Sequence, residues 1–301
     1  MLPLYLVGAT GTGKSSIALS IAKNIGGEIV NADAFQIYKG IEIVTASPES
    51  VALGQIKHHL YGAIELQEDC NAALYSEMAH GQIEDISDRG KTPIIVGGSG
   101  LYIKSLTHGL SNLPPANHGL RENLNKISHE ELINRLEKCD PVGASQINLK
   151  NRRYVTRALE ISILADRPMS EIKNEWEKHH PKFNGILLHR PRQELYDRIN
   201  LRVEQMVKDD LIDEIRSLPE NISDTAKKAI GIQETQLHLE GKASLEECIH
   251  SIQQSSRNYA KRQITWFKRE QGFQNVCLEK KDDPNSAIEK IAGLIIPPDN
   301  E

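Results

Sequence analysis

Short apolar runs alternate with longer segments of helical periodicity over the first hundred residues of the chain. This alternation is typical of strand-helix-strand units, which build a parallel sheet covered by helices on both faces. Residues 14–25 have the periodicity of a helix. We therefore expect an α/β fold, with strands at the following runs: "PLYLV", "GEIVNAD", "KTPIIVGGSG", "ILLHR" and "NVCLE".

A polar, helical segment interrupts this alternation between residues 113 and 184. It opens with "LPPANHG" and closes with "KHHPKFNG", and such turn-rich flanks are typical of an inserted domain. We expect a helical insertion at 113–184 within a core formed by 1–112 and 185–301. The core resumes with a long amphipathic helix, predicted by apolar residues at helical spacing: Leu195, Ile199, Val203, Met206 and Leu211.

The composition is that of a soluble globular protein, with 39% hydrophobic and 26% charged residues over 301 positions. The apolar N-terminal stretch is too short to span a membrane and lacks the basic start of a signal peptide, so we expect a cytoplasmic protein with no membrane partner. The four cysteines are scattered without a CxxC pair and predict no zinc site. A formal charge of -5 excludes a protein that is basic throughout, although a local basic stripe could still bind nucleic acid.

Residues 8–15, "GATGTGKS", match G-x-x-x-x-G-K-[ST] between a predicted strand and a predicted helix. The glycines allow a tight turn in which backbone N–H groups converge on a phosphate at a helix N-terminus. The Lys14 ammonium would reach a terminal phosphate, and the Ser15 hydroxyl would complete the shell of a Mg²⁺ ion. This motif predicts a P-loop NTPase-like fold with these phosphate-binding residues: Gly8, Ala9, Thr10, Gly11, Thr12, Gly13, Lys14 and Ser15.

A loop of this kind normally binds ATP or GTP, and nucleotide-hydrolysing proteins also place a carboxylate at the end of a neighbouring strand. Here the run "PIIVGGSG" ends in glycines and Ser99, and the acidic candidate near a strand end in the first half is Asp33. Asp33 could hold a metal ion, act as a general base or cap a turn. If Asp33 is a base, the loop could grip the diphosphate of a leaving group.

Two basic segments are candidates for an RNA surface. Residues 257–269, "RNYAKRQITWFKR", contain five basic residues and no acidic one, with Trp266 available to stack on a base. The second segment, "KNRRYVTR" at 150–157, lies in the predicted insertion. Basic segments can equally be ordinary solvated faces.

Smaller features allow more than one interpretation. Arg198 and Arg202, four residues apart on one predicted helix, could hold a diphosphate or form surface ion pairs with neighbouring acids. Ser99 could be a filler in a tight turn. His58 and His59 would point to opposite faces of a strand, and we assign neither a role.

Taken together, the motifs resemble the tRNA dimethylallyltransferases. The resemblance covers residues 3–270 and implies transfer of the dimethylallyl group of dimethylallyl diphosphate to the exocyclic amine of the adenosine 3′-adjacent to the anticodon, in tRNAs reading UNN codons. It also implies that the loop cradles the diphosphate of the donor and that ATP is not consumed. The matching segments, in order, are "GATGTGKS", "EIVNADAFQIYKGIEIVTA", "KHHLYG", "IIVGGSGLYIKSL", "NRRYVTRALEI", "RINLRVEQM", "AIGIQE" and "YAKRQITWFKR".

The resemblance also implies roles for individual residues. Asp33 corresponds to the general base, Ser99 to a position where the family commonly has threonine, and Lys14, Ser15 and Arg198 to a diphosphate clamp with Mg²⁺. The residues that correspond to tRNA-contacting stretches are Asp33, Ala34, Phe35 and Gln36; Arg153, Tyr154, Val155, Thr156 and Arg157; Lys228, Ala229, Ile230, Gly231, Ile232 and Gln233; and Lys261, Arg262, Gln263, Ile264, Thr265, Trp266, Phe267 and Lys268.

An adenine within an anticodon loop must be extruded to react, and Phe35 or Tyr38 could form a wall of its pocket or lie in the core. "GIEIVTA" and "HHLYG" are closer to adenylate isopentenyltransferases, which prenylate free AMP, ADP or ATP. A small acceptor would not require the helical insertion or the basic stripe, so a tRNA partner is favoured. A nucleotide kinase or an ATP-binding switch is the remaining alternative, and a monomer is expected.

Overall fold

Six strands form one parallel sheet in the part of the chain that the structure describes. The structure is a computed structural model that describes residues 2–48, 54, 56–110, 113–177, 183–279 and 284–294. The strand order is β3-β2-β4-β1-β5-β6. The strands are β1 (Leu4–Gly8), β2 (Glu28–Ala32), β3 (His58–His59), β4 (Pro93–Gly97), β5 (Asn184–His189) and β6 (Phe273–Cys277). The predicted parallel sheet is confirmed.

Helices cover both faces of this sheet, as the apolar strands require. The described α-helices of the larger unit are α1 (Lys14–Ile25), α2 (Ala72–Asp88), α3 (Gly100–Thr107), α9 (Arg192–Lys208), α10 (Leu211–Arg216), α11 (Ile232–Leu239), α12 (Leu245–Phe267) and α13 (Pro284–Ala292). Those between α3 and α9 are α4 (His118–Asn125), α5 (His129–Cys139), α6 (Pro141–Gln146), α7 (Arg152–Ala165) and α8 (Met169–Glu177). A short 3-10 helix spans Ala226–Lys228.

The core lies on both sides of the sheet because successive side chains of a strand point to opposite faces. In β1, Tyr5 and Val7 belong to one apolar cluster, whereas Leu4 and Leu6 belong to another. Every residue of β1, β2 and β4 is buried. Strands buried on both faces have nearly continuous apolar sequences, which is why they could be predicted from the sequence.

The parallel order brings the carboxyl ends of β1, β2 and β4 to one edge of the sheet. Val7 of β1 is paired with Gly97 of β4, which is also paired with Ala32 of β2. Residues that directly follow these strands, including Asp33 and Ser99, therefore lie beside the phosphate loop. This edge is where open α/β sheets bind their ligands.

The chain divides into two compact units, Met1–Thr107 with Lys182–Glu301 and His108–Pro181. The second unit has an apolar core of its own, which includes Leu124, Leu132, Leu136 and Leu159. A buried carboxylate, Glu160, accepts hydrogen bonds from Arg121, Arg157 and the backbone N–H of Asn117 within this unit. The role in tRNA binding that the sequence gives to the insertion stays a prediction. Of its predicted closing segment, 178–185, residues 178–182 lie outside the described residues, and Asn184 and Gly185 belong to β5.

None of the described helices combines the length and the apolar character needed to cross a membrane.

Candidate active site

A cavity of about 520 Å³ opens at the carboxyl edge of the sheet. It brings together four residues that the sequence predicts to act on a diphosphate or an amine, namely Lys14, Ser15, Asp33 and Arg198. The other lining residues are Thr10, Gly11, Gly13, Ser16, Gln36, Thr45, Ala46, Tyr61, Val96, Gly97, Leu201 and Arg202. Three cationic side chains and one carboxylate therefore face one space.

The phosphate loop closes between β1 and α1 through glycines that no other residue could replace without strain. Gly11 and Gly13 have φ angles of 83° and 94°, in the left-handed region that favours glycine. A Cβ atom at Gly8 would collide with the carbonyl oxygen of Leu188. The loop therefore holds the N-terminus of α1 toward the cavity, the geometry that binds phosphates in P-loop proteins.

Lys14 lies at the base of the cavity with its ammonium on the loop. Its Nζ donates a hydrogen bond to Ala9 O at 2.8 Å. Burial lowers the pKa of Lys14 to about 8; the charge of Asp33 raises this pKa and that of Arg202 lowers it. A diphosphate in the cavity would stabilise the protonated form.

Two guanidinium groups flank Gly13 at the start of α1. Arg198 of α9 donates from Nε to Gly11 O at 2.8 Å, and Arg190 donates from Nε to Thr12 O at 2.9 Å. Glu194 holds Arg190 through a hydrogen bond of 2.5 Å to Nη1. Arg198 was predicted from the sequence, whereas Arg190 was missed because its relation to the loop depends on the packing of β5 beside β1.

Arg202 belongs to the cavity and is not a surface ion pair. Its Nη2 donates to Thr10 Oγ1 at 2.7 Å, while its buried Nε has no hydrogen-bond partner in the described residues. Burial lowers the pKa of Arg202, and the neighbouring Asp33 carboxylate opposes this effect. A buried guanidinium N–H without a partner is costly, and an anionic ligand would satisfy it.

Asp33 follows β2 in a turn that fixes its position. Its backbone N–H donates to Asn31 Oδ1 at 2.9 Å, and its own Oδ1 accepts from the Phe35 N–H at 3.0 Å. Both the turn-residue role and the cavity position considered from the sequence are therefore present. In the described residues Oδ2 accepts no hydrogen bond, which leaves one carboxylate oxygen for a ligand.

Ser99 supports the turn that carries Asp33. Its Oγ accepts a hydrogen bond from the Ala34 N–H at 2.9 Å, and its backbone N–H donates to Ala32 O at 3.2 Å. Ser99 is buried and does not line the 520 Å³ cavity. The geometry gives its hydroxyl a positioning contact beside the candidate base.

A smaller cavity of about 50 Å³ adjoins the first and shares Thr10, Asp33, Thr45 and Arg202 with it. The rest of its wall is mostly apolar or aromatic and consists of Phe35, Val44, Met206, Ala229, Ile230, Ile252, Ser256 and Tyr259. Asp33 thus lies between a cationic space and a smaller space with a mostly apolar or aromatic wall.

The structure separates the two aromatic residues that the sequence left open and adds a third. Phe35 lines the smaller cavity, but Tyr38 is fully buried in the core, where its hydroxyl accepts a hydrogen bond from the Cys70 N–H at 3.0 Å. Tyr259 was not predicted; burial raises the pKa of its hydroxyl, and the charge of Asp33 raises it further. The sequence around Tyr259 does not show whether this residue lines a cavity or packs in the core, because both are possible for a tyrosine in a basic helix.

Comparison with known proteins decides between the classes that this geometry allows. A family model described as IPP transferase matches residues 36–270. The chain belongs to the IPP transferase family. It is similar to a tRNA dimethylallyltransferase of Akkermansia muciniphila, with 38% identity over 290 residues that cover 96% of this chain and 98% of that protein.

Solved structures of the family have the same fold. A full-length tRNA isopentenylpyrophosphate transferase from Bacillus halodurans is 34% identical, with a TM-score of 0.71 and coverage of 97% of this chain and 96% of that one. A eukaryotic dimethylallyltransferase acting on tRNA is 27% identical, with a TM-score of 0.82 and coverage of 99% of this chain and 81% of that one. The expected family and fold are thereby confirmed.

The predicted RNA segment 261–268, at the end of α12, has an exposed face and a buried face. The side chains of Lys261, Arg262, Thr265, Trp266 and Lys268 are exposed, whereas those of Gln263 and Phe267 are buried and that of Ile264 is half-buried. Trp266 lies against Gly100, where a Cβ atom would collide with the indole ring. The exposed cations could contact RNA, and the buried residues cannot do so without a rearrangement.

The other predicted RNA segments are also mixed. Lys228 and Gln233 are exposed, while Ala229, Gly231 and Ile232 are buried and Ile230 is half-buried. In the smaller unit, Arg153 and Tyr154 are exposed, Val155 and Thr156 are buried, and Arg157 binds Glu160 at 2.6 Å and Pro114 O at 2.8 Å. In the turn after β2, Ala34 and Phe35 are half-buried, and Gln36 Nε2 donates to the carbonyl oxygens of Thr45 and Ala46, both at 3.0 Å.

Within the described parts of the chain, side chains alone build no metal site. Among the described residues, no three His, Cys, Asp or Glu side chains are placed to hold a metal ion. His59 Nε2 lies 2.8 Å from Glu28 Oε2, and the ring nitrogen Nδ1 of His58 lies 2.7 Å from Ile56 O. These two histidines stabilise the edge of the sheet.

Proposed function

We propose that this chain is a tRNA dimethylallyltransferase, which transfers a dimethylallyl group from dimethylallyl diphosphate to the exocyclic amine of the adenosine 3′-adjacent to the anticodon in tRNAs reading UNN codons. The observation that supports this proposal best is the position of one carboxylate, Asp33, between a cationic phosphate site and a small, mostly apolar cavity. The named activity of the similar proteins supports the same reaction.

The cradle stabilises the leaving group. Breaking the allylic C–O bond places negative charge on the diphosphate, and preorganised donors that meet this charge lower the barrier. Lys14, Arg198 and Arg202 line the cavity, and the partnerless Nε of Arg202 is a donor of this kind. The N-terminus of α1 adds backbone N–H groups and the helix dipole.

Mg²⁺ fits the cavity as an ion that arrives with the diphosphate. Mg²⁺ keeps several waters and is held in phosphate sites by one or two protein oxygens together with substrate oxygens. Ser15 and Asp33 both line the cavity and supply such oxygens, with Ser15 the proposed ligand. The bound ion would supply charge neutralisation for the diphosphate.

Asp33 acts on the nucleophile. The adenine amine is a weak nucleophile because its lone pair is delocalised into the ring, and removal of its proton as the C–N bond forms assists the attack. Asp33 Oδ1 is occupied by the Phe35 N–H, so Oδ2 accepts the amine proton. Ser99 keeps the Asp33 turn in place through Ala34.

The acceptor contacts the accessible side chains of four segments: residues 33–36, 153–157, 228–233 and 261–268. Single-stranded RNA loops are bound by basic side chains and by stacking on aromatic rings, and the exposed cations and Trp266 of α12 provide both. We place the enzyme in the cytoplasm as a monomer.

The proposal is tested by the choice of acceptor. The protein is incubated with radiolabelled dimethylallyl diphosphate, Mg²⁺ and either unmodified tRNA reading UNN codons or AMP. Label on the tRNA supports the proposal. Label on AMP alone would identify an adenylate isopentenyltransferase, and breakdown of ATP without prenyl transfer would identify a nucleotide-hydrolysing protein.

A further inference from the structure

Gln263 connects three parts of the active-site edge through one amide group. Its Oε1 accepts a hydrogen bond from the Thr10 N–H at 2.8 Å, and its Nε2 donates to Gly98 O at 3.0 Å. The phosphate loop, the turn after β4 and α12 are thereby joined. The side chain is 4% exposed, so both of its polar atoms are used inside the protein.

The orientation of this amide is fixed by its partners. A backbone N–H requires an acceptor and a backbone carbonyl requires a donor, so Oε1 must face Thr10 and Nε2 must face Gly98. Gly98 is adapted to this contact, because a Cβ atom there would collide with Gln263 Nε2. A glutamine is required here, since a carboxylate of the same length would place an oxygen against Gly98 O.

The hydrogen bond from the Thr10 N–H to Gln263 holds the phosphate loop at Thr10. Thr10 is held from its backbone by Gln263 and from its hydroxyl by Arg202, at 2.7 Å. Thr10 also lines both cavities, between the cationic space and the space beside Phe35. The direction of its N–H therefore affects which loop amides face an anion and where Arg202 lies.

We propose that Gln263 is a positioning residue, which fixes the phosphate loop through Thr10 and joins it to α12, the helix whose outer face carries Lys261 and Arg262. Gln263 then supports RNA-dependent transfer from inside the protein, without touching RNA. This inference rests on the proposed function of the cavity as a diphosphate site.

The test separates binding of the diphosphate from binding of RNA. Gln263→Ala is compared with Arg262→Ala, its exposed neighbour, by calorimetric titration with pyrophosphate and Mg²⁺ and by fluorescence anisotropy with an anticodon stem-loop RNA. Gln263→Ala is expected to weaken pyrophosphate binding at least about tenfold and to leave RNA affinity within about twofold. Arg262→Ala is expected to show the opposite pattern. Unchanged pyrophosphate binding with weakened RNA binding in Gln263→Ala would overturn the inference.

A second variant remains informative if Gln263→Ala does not fold. Gln263→Glu keeps the acceptor for the Thr10 N–H, but its second oxygen can donate to Gly98 O only when the carboxyl is protonated. Its pyrophosphate affinity, taken as a ratio to wild type at each pH, is expected to fall as pH rises from 5.5 to 8.5. A ratio of one at every pH would contradict the positioning role. If the wild-type protein binds pyrophosphate and RNA but transfers no prenyl group, the proposed function fails while the role of Gln263 stands.

Discussion

Asp33 is the proposed general base, and the turn around it engages one carboxylate oxygen, Oδ1, while Oδ2 accepts no hydrogen bond in the described residues. Asp33→Asn preserves the acceptor for the Phe35 N–H but cannot accept a proton at neutral pH. We expect single-turnover prenyl transfer to fall at least about a hundredfold, because general-base catalysis typically contributes about 10² to 10⁴. Binding of tRNA and of an unreactive donor analogue should change little. An undiminished rate would remove Asp33 from the base role.

The low pKa of Lys14 leads us to expect that diphosphate binding depends on pH. Its pKa of about 8 in the free protein should rise when an anion binds, so the complex holds more protons than the free protein. Affinity for pyrophosphate therefore falls as pH rises above about 8, at a limiting slope of about tenfold per pH unit. Isothermal titration from pH 6.5 to 9.5 measures this slope. In Lys14→Arg the slope attributable to this residue should vanish, since arginine stays charged over this range.

The site residues that could be predicted from the sequence are those whose proposed role follows from a local motif. Lys14 and Ser15 are fixed by the loop pattern, and Asp33 by its place directly after a strand. Arg190 and Thr12 are in contact although 178 positions separate them in the chain, and Tyr259 of α12 lies near Asp33. Neither contact can be seen in a local sequence pattern. Gln263 is a polar residue whose burial becomes visible only in the folded protein.

Glu28 at the start of β2 joins the edge of the sheet through a charge cluster. Its buried carboxylate binds Arg89 at 2.6 Å, Lys91 at 2.7 Å and His59 at 2.8 Å. Hydrogen bonds from Arg89 hold the pKa of Glu28 well below its ordinary value of 4.5. A carboxyl whose pKa is lower in the folded state stabilises the protein above the unfolded pKa and loses this effect as pH falls.

We therefore expect Glu28→Gln to lower the free energy of unfolding at pH 7 by about 2 kcal/mol. The difference from wild type should shrink as pH falls below about 4.5, the ordinary pKa of this carboxyl. Urea unfolding at pH 7 and at pH 3.5 measures both values. Glu131→Gln, which removes an exposed pair with Arg135, is the control and should have little effect. A Glu28→Gln protein as stable as wild type at pH 7 would contradict this account.

Because the outer face of α12 carries exposed cations, we expect it to make a salt-dependent contribution to RNA binding. Lys261→Ala should weaken RNA binding and reduce the slope of log affinity against log salt by about 0.7, the value for one phosphate contact on a single strand. Fluorescence anisotropy at several salt concentrations measures this slope. Lys23→Ala, on the exposed side of α1, should leave it unchanged. Equal slopes for wild type and Lys261→Ala would place this lysine outside the RNA interface.

At the level of elements, the core strands were predictable from their continuous apolar runs, and α1 was predictable from its helical periodicity. The helix predicted at 14–25 is α1 (Lys14–Ile25), bounded by the phosphate loop and by Gly26 in the left-handed conformation. The individual helices between α3 and α9 were not predicted, since their polar sequences share one helical periodicity and differ mainly in their caps. Asn117, Ser128, Asp140 and Asn151 provide these caps with their side chains.

In the whole molecule, an overall charge of -5 coexists with a cavity that concentrates cations. The parallel sheet explains how this is possible, because the ends of its central strands meet at one edge and expose the loop, Asp33 and the helix α9 to one space. The missing second strand-end carboxylate left two uses of the loop open, nucleotide hydrolysis and a grip on a leaving diphosphate, and the resemblance to the tRNA dimethylallyltransferases implied the second. The comparisons confirm the family, and the occupant of the loop stays a proposal.

The most direct test is a crystal structure of the protein with Mg²⁺ and the unreactive thio analogue of dimethylallyl diphosphate, grown with ATP present as a competitor. We expect the analogue's diphosphate to lie against residues 8–15, in contact with Lys14 and Arg198, with its prenyl carbon directed toward Asp33. A loop that stays empty, or that holds ATP in preference to the analogue, would contradict this expectation.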